Sequence, residues 1–164
     1  MKKMMTFLTI ALTTLVAFVS CANPTYSDEM IDVKPVDIVF DMDESDGSWT
    51  VKKGWGDNAE VSVDTDKGVL TIKAISGSTQ DVVKFDNPGA TKVVVEYSST
   101  GKTTFGFLSK TAMPWDNPRI NDQYFDPVEE GKIELDIPDG AGMLAICSNG
   151  DPTNVITVTK VTVK

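Results

Sequence analysis

AEVSVDTDKGVLTIKA, residues 59–74, decides the fold class. Val61 and Val63 alternate with Glu60, Ser62 and Asp64, so an extended segment would have one apolar and one polar face. Asp66-Lys67-Gly68 follows, a turn whose glycine reaches positive φ without steric cost. Leu70 and Ile72 then restore the alternation, and two such runs around a tight turn are a β-hairpin. The same rhythm extends in both directions. Strands are expected at 36–40, 48–51, 82–85, 92–97, 103–108, 132–137, 143–147 and 155–163, separated by Gly, Pro, Asn and Asp. In 155–163 the apolar parity switches between Ile156/Val158 and Val161/Val163, which predicts a β-bulge near Thr159–Lys160. Residues 143–147 are continuously apolar, as in a strand covered on both faces, and Cys147 reads as a small buried hydrophobe. There is no internal repeat and no helix-period segment after the N-terminal region. The expected fold is all-β, an antiparallel, jelly-roll-like β-sandwich over residues 36–164.

Composition narrows function by exclusion. The 164 residues carry 24 acidic and 15 basic side chains, net −9. No basic run offsets this charge, so nucleic acid and anionic lipid surfaces are not expected partners of the folded domain. There is no histidine, which removes histidine-based nucleophilic triads and histidine-ligated zinc.

Residues 1–35 read as an export segment. Lys2 and Lys3 precede the apolar run FLTIALTTLVAFV, residues 7–19, shorter than the roughly 20 residues of a spanning helix. The following Phe18-Val19-Ser20-Cys21 resembles a bacterial lipoprotein signal, with Phe18 where leucine is usual. That resemblance implies a signal peptide over 1–21, lipidation of Cys21, a flexible tether over 22–35, and anchoring at the outer membrane or cell surface. Cleavage at the small-x-small site Ser20-Cys21-Ala22 is the alternative and gives a periplasmic or secreted protein.

Two loops stand out. KTAMPWDNPRINDQYFDP, residues 110–127, interrupts the strand rhythm and concentrates aromatic and polar residues. It reads as a long loop, and long loops on rigid scaffolds tend to carry function. Sugar rings stack their C–H faces on indole and phenol rings while amides, carboxylates and guanidinium bond the hydroxyls. Trp115 and Tyr124 are the expected platforms and Asp116, Asn117, Arg119, Asn121 and Asp122 the hydroxyl partners. Trp55, between Gly54 and Gly56, is a third ring on a loop. Trp115 and Phe125 equally suit a loop folded over its own hydrophobic plug. The second loop, DMDESDG at 41–47, clusters Asp41, Asp43 and Asp46 as candidate structural calcium ligands. It lacks the glycine position, closing glutamate and helix of an EF-hand, and a solvated acidic turn explains it as well. Trp49 shares a face with Val51 and is expected in the core.

The order of Phe40-Asp41, Trp49, Gly54-Trp55-Gly56, Gly68-Val69-Leu70-Thr71-Ile72, the 133–138 strand and the closing 155–163 strand resembles carbohydrate-binding β-sandwich modules. The nearest in pattern are galactose-binding-like jelly rolls of the family 4 and 9 type. The resemblance spans 36–164 and rests on strand order rather than a signature motif. It implies a non-catalytic glycan-binding module, with loop aromatics and a structural calcium as common features. An envelope structural or protein-interaction sandwich is the alternative, because Trp, Tyr and Arg also anchor protein interfaces. Glu134 and Asp136, about 7 Å apart by strand rise, resemble the start of a laminarinase-type motif. Asp139 stands where that motif has glutamate and Pro138 ends the strand first, so no enzyme is expected.

Overall fold

The computed structural model of the protein describes residues 33–164. Eleven strands follow one another along the chain: β1 (Val36–Asp37), β2 (Val51–Lys53), β3 (Ala59–Asp64), β4 (Val69–Ala74), β5 (Asp81–Lys84), β6 (Lys92–Ser99), β7 (Thr103–Ser109), β8 (Ile120–Phe125), β9 (Val128–Asp136), β10 (Ala141–Cys147) and β11 (Val155–Val163). Every pairing is antiparallel. One sheet runs β3-β4-β11-β6-β9, with β1 added to β11, and the other runs β2-β5-β10-β7-β8. This is the expected antiparallel β-sandwich. The signal peptide, Cys21 and most of the 22–35 tether lie outside the described residues.

The core fills from alternate positions of both sheets, as strand pleating requires. Leu70, Ile72, Val93, Val95, Tyr97, Leu135, Ile156, Val158, Val161 and Val163 face Val51, Val83, Phe105, Phe107, Leu144 and Ile146. The hairpin of residues 59–74 pairs Val61 with Ile72 and Val63 with Leu70, and Gly68 sits in its turn at φ 65°. The predicted bulge is present, since β11 steps from Val158 to Lys160 while β6 moves only from Tyr97 to Glu96. Thr159 is the extra residue, and its insertion lets Val158 and Val161 both point inward.

Four local expectations change. The first strand ends at Asp37 rather than Phe40, although Ile38 N–H still donates to Val161 O at 2.8 Å and Phe40 still reaches the core. The second begins at Val51, not Ser48, because residue 50 turns aside to pair its N–H and hydroxyl with residues 39–41. Trp49 is therefore outside the main core. It is half-buried on the outer face of the five-stranded sheet, with the Lys84 and Lys52 ammoniums over its ring at 4.4 and 5.3 Å. Last, residues 110–127 are not one loop. Residues 120–125 form β8, an edge strand on β7, and Phe125 leaves the loop to pack edge-on against Phe105 and Tyr97. This strand is exposed along most of its length and its pairing is interrupted by a bulge, so its sequence shows no clean alternation.

Candidate functional site

The loop of residues 110–119 leaves the end of β7 and lies across the outer face of the five-stranded sheet. There Ala112 packs on a small satellite cluster of Val82, Leu108, Met143 and Ala145. This cover explains why β10 is apolar on both faces. Pro114 is buried beside it, while Trp115 remains 51% exposed. Ala112 and Pro114 thus do the plugging, and the indole between loop and solvent does not.

The tie that holds this loop is Gln80, fully buried just ahead of β5. Its Nε2 donates to Pro114 O at 2.8 Å and to Asp116 O at 2.9 Å, and its Oε1 accepts from Arg119 Nη1 at 2.8 Å. Its own placement is enforced by a reciprocal clasp on the preceding residue. Thr79 N–H donates to Ser148 Oγ and Ser148 N–H donates to Thr79 Oγ1, extending the β5–β10 ladder by side chains. The Gln80 backbone carbonyl accepts from Trp55 N–H at 3.3 Å, so one residue fixes both tryptophan loops.

The two loops also meet directly. Trp55 Nε1–H donates to the Trp115 carbonyl at 3.0 Å, and the Arg119 guanidinium lies 5.8 Å over the Trp55 ring. Arg119 is bonded at each nitrogen: Nε to Asp122 Oδ1 at 3.0 Å, Nη2 to Asp122 Oδ2 at 2.8 Å, and Nη1 to Gln80. Only 14% of its side chain is exposed, and the Asp122 carboxylate raises its already high pKa. Buried paired charge of this geometry is rigid, because breaking it would strand an ion away from water.

Asp122 reaches that position through a second bulge. β7 advances one residue, Gly106, between its pairings at Phe105 and Phe107, while β8 advances two, Asn121 and Asp122. Asn121 takes φ 55°, a conformation asparagine tolerates better than other side chains. A Cβ on Gly106 would collide with Asp122 Oδ1, and one on Gly54 would collide with the Gln80 carbonyl and approach Pro114 O. Both glycines are there for close approach, not for turn geometry.

The structure therefore gathers Trp55, Trp115, Asp116, Arg119 and Asp122 around Gln80. Asp116 is exposed, with Oδ2 accepting from Met113 N–H at 2.7 Å. Asn117 and Asn121 are exposed on the same loop and bulge. Tyr124 is 71% exposed on β8. Gln80 and Gly106 were not foreseeable, since nothing in STQD or TFGF marks a residue that distant segments will cover. Asp81, next to Gln80, is buried too. Its Oδ1 accepts from Gly54 N–H at 3.3 Å, its Oδ2 has no partner, and burial pushes its carboxyl up to about 6.

The acidic turn is organised differently. Asp41, Asp43 and Asp46 each turn Oδ1 onto the backbone N–H two residues ahead, at 2.9, 2.9 and 2.8 Å. Among the described residues no three acidic or cysteine side chains are gathered closely enough to hold a metal. Glu134 and Asp136 both bond the Lys92 ammonium, and Glu134 also bonds Lys164. These lysines bring the Glu134 carboxyl down to about 2, so it is ionised at neutral pH and holds no proton for a leaving group. A groove of about 640 Å³ lies on the six-stranded sheet, lined by Glu96, Glu129, Glu130 and Lys132. It offers acidic groups without an exposed ring, so the aromatic platform is the better candidate for stacking a sugar.

No protein-family model matches the chain, and no curated protein sequence matches it. Solved structures do. A mutant family 29 carbohydrate-binding module complexed with mannohexaose aligns with a TM-score of 0.56 at 11% identity, over 79% of this chain and 90% of that one. Another mutant of the module, complexed with cellulohexaose, gives 0.55 at 12% identity over 80% and 92%. The apo BiXyn10A CBM1 module gives 0.53 at 13% identity over 80% and 96%. At this identity the likeness establishes the shared β-sandwich fold.

Proposed function

We propose that the domain is a non-catalytic carbohydrate-binding module of an exported cell-envelope lipoprotein, with Trp115 and Tyr124 as sugar platforms. The observation that carries this reading is the locked tryptophan pair. Trp55 donates to the Trp115 backbone, and both loops hang on one buried glutamine. A half-exposed indole on a backbone fixed in this way meets a sugar face with little ordering cost, which is how preorganised sites gain affinity. Asp116, Asn117, Asn121 and the Tyr124 hydroxyl are exposed around it as hydroxyl partners. The fold shared with modules solved in complex with mannohexaose and cellulohexaose supports the same reading.

Titration of intrinsic tryptophan fluorescence with an oligosaccharide panel tests it. A saturable shift is expected in the wild type and its loss in Trp115→Ala. A flat response across neutral and charged glycans sinks the proposal.

A second reading, an envelope protein-interaction module, draws on Met113 at 54% exposure and Ile120, also exposed, beside the free edge of β8. A stoichiometric co-purifying partner together with no glycan response favours it. The lipoprotein part rests on Cys21, and an acyl-modified Cys21 as the mature N-terminus in a mass spectrum is its expected signature. An unmodified Asn23 terminus sinks it.

A further inference from the structure

Arg119 is the one arginine in the chain and the cation of the network described above. An arginine beside exposed aromatics is ordinarily the group that captures a carboxylate. Here its charge is already spent. Asp122 chelates Nε and Nη2, Gln80 caps Nη1, one guanidinium face lies toward Trp55, and the side chain is largely buried. The flanking Lys53 is bonded in turn to Asp57 at 3.3 Å. Asp116 is exposed on the same loop, and the chain as a whole is acidic at net −9.

We propose that the Gln80–Arg119–Asp122 network makes this site select uncharged sugar chains over chains that carry uronate carboxylates. The inference rests on the glycan-binding reading and adds the chemical class of ligand. Arg119 acts as a strut that stiffens the platform, and the carboxylate of an anionic sugar meets Asp116 without a compensating cation. Asp122 and Gln80 are thus specificity-determining residues that act through Arg119. Replacing Asp122 by asparagine returns an unneutralised guanidinium to the site without changing side-chain size. Replacing Gln80 by methionine keeps the buried volume and releases Nη1, but also frees the Pro114 and Asp116 carbonyls, so the Trp55 indole signal shows whether the platform survives.

The test uses the full chain, with cellohexaose and mannohexaose as uncharged probes and hexagalacturonate as the charged one, by calorimetry at low and moderate salt. The wild type is expected to bind at least one uncharged hexaose ten-fold or more tighter than the uronate. Asp122→Asn is expected to narrow that ratio several-fold through a gain in uronate affinity that salt suppresses. Gln80→Met is expected to move it in the same direction to a smaller extent, which keeps the test alive if one variant does not fold. The Trp55 indole N–H resonance reports platform integrity in each variant. Wild-type binding of hexagalacturonate equal to or tighter than the hexaoses overturns the selectivity and leaves glycan binding standing. Absence of binding to these and to a broad panel overturns both. A ratio unchanged in two folded variants with an intact indole signal overturns the role assigned to Asp122 and Gln80.

Discussion

Asp81→Asn is expected to gain stability relative to wild type as pH rises from 4 to 7.5. Asp81 is buried, with Oδ1 held by Gly54 N–H and Oδ2 unpartnered. Burial outweighs that one hydrogen bond and the Lys53 charge, and the carboxyl rises from 3.8 to about 6. A raised carboxyl prefers its proton in the folded state. Below 3.8 the group is protonated folded and unfolded, and ionisation costs nothing. Between 3.8 and about 6 the unfolded chain releases the proton while the folded one keeps it, so stability falls as pH rises. Above that window both states are ionised and the penalty is constant. The difference between 3.8 and about 6 amounts to about 3 kcal/mol at pH 7.5 and less than about 1 kcal/mol at pH 4. Asparagine keeps an acceptor for Gly54 and cannot ionise. Its stability relative to wild type in urea unfolding should therefore rise by about 2 kcal/mol from pH 4 to pH 7.5, roughly 10 °C in Tm for a domain of this size. Any loss from replacing Oδ2 with an NH2 group is an offset that pH does not move. A difference between variant and wild type that is flat across this range refutes the buried, uncompensated carboxylate.

Gly54→Ala places a methyl onto the Gln80 carbonyl and should cost about 1–3 kcal/mol, with loss of the Trp55 indole hydrogen bond visible by NMR. Gly106→Ala displaces Asp122 from Arg119 and is expected to be similarly destabilising, while Gly56→Ala, with no atom near its Cβ but φ 54°, should cost less, about 1 kcal/mol. Phe105→Ala, at the centre of the aromatic cluster with Tyr97 and Phe125, should cost about 3–5 kcal/mol in chemical denaturation. Cys147 is buried with its thiol pushed up to about 12, so the native protein should resist thiol reagents at pH 8 and react once unfolded; rapid native labelling contradicts its placement.

Strands were legible because their signal is local. Alternation in AEVSVD and VLTIKA, and the parity switch across Thr159, are properties of a few consecutive residues, and the register follows from keeping the apolar set inward. That Trp55 and Trp115 sit in connecting segments was equally readable from the glycines and prolines around them. What those segments do with each other was not. Trp55 and Trp115 meet across 60 positions, and Gln80 reaches 34 residues to Pro114 and 39 to Arg119. A glutamine in a polar run looks solvated until a distant loop covers it, and a glycine made obligatory by a crossing backbone looks like any turn glycine. Edge strand β8 hid for a different reason: it is exposed along most of its length and bulged at Asn121–Asp122, which leaves no period in INDQYF. Local alternation and turn chemistry suffice for a β-sandwich and for the residues available to a site. Which of them are fixed depends on the fold, because only the crossing of the two tryptophan loops over Gln80 removes it and Arg119 from water and makes their hydrogen bonds obligatory.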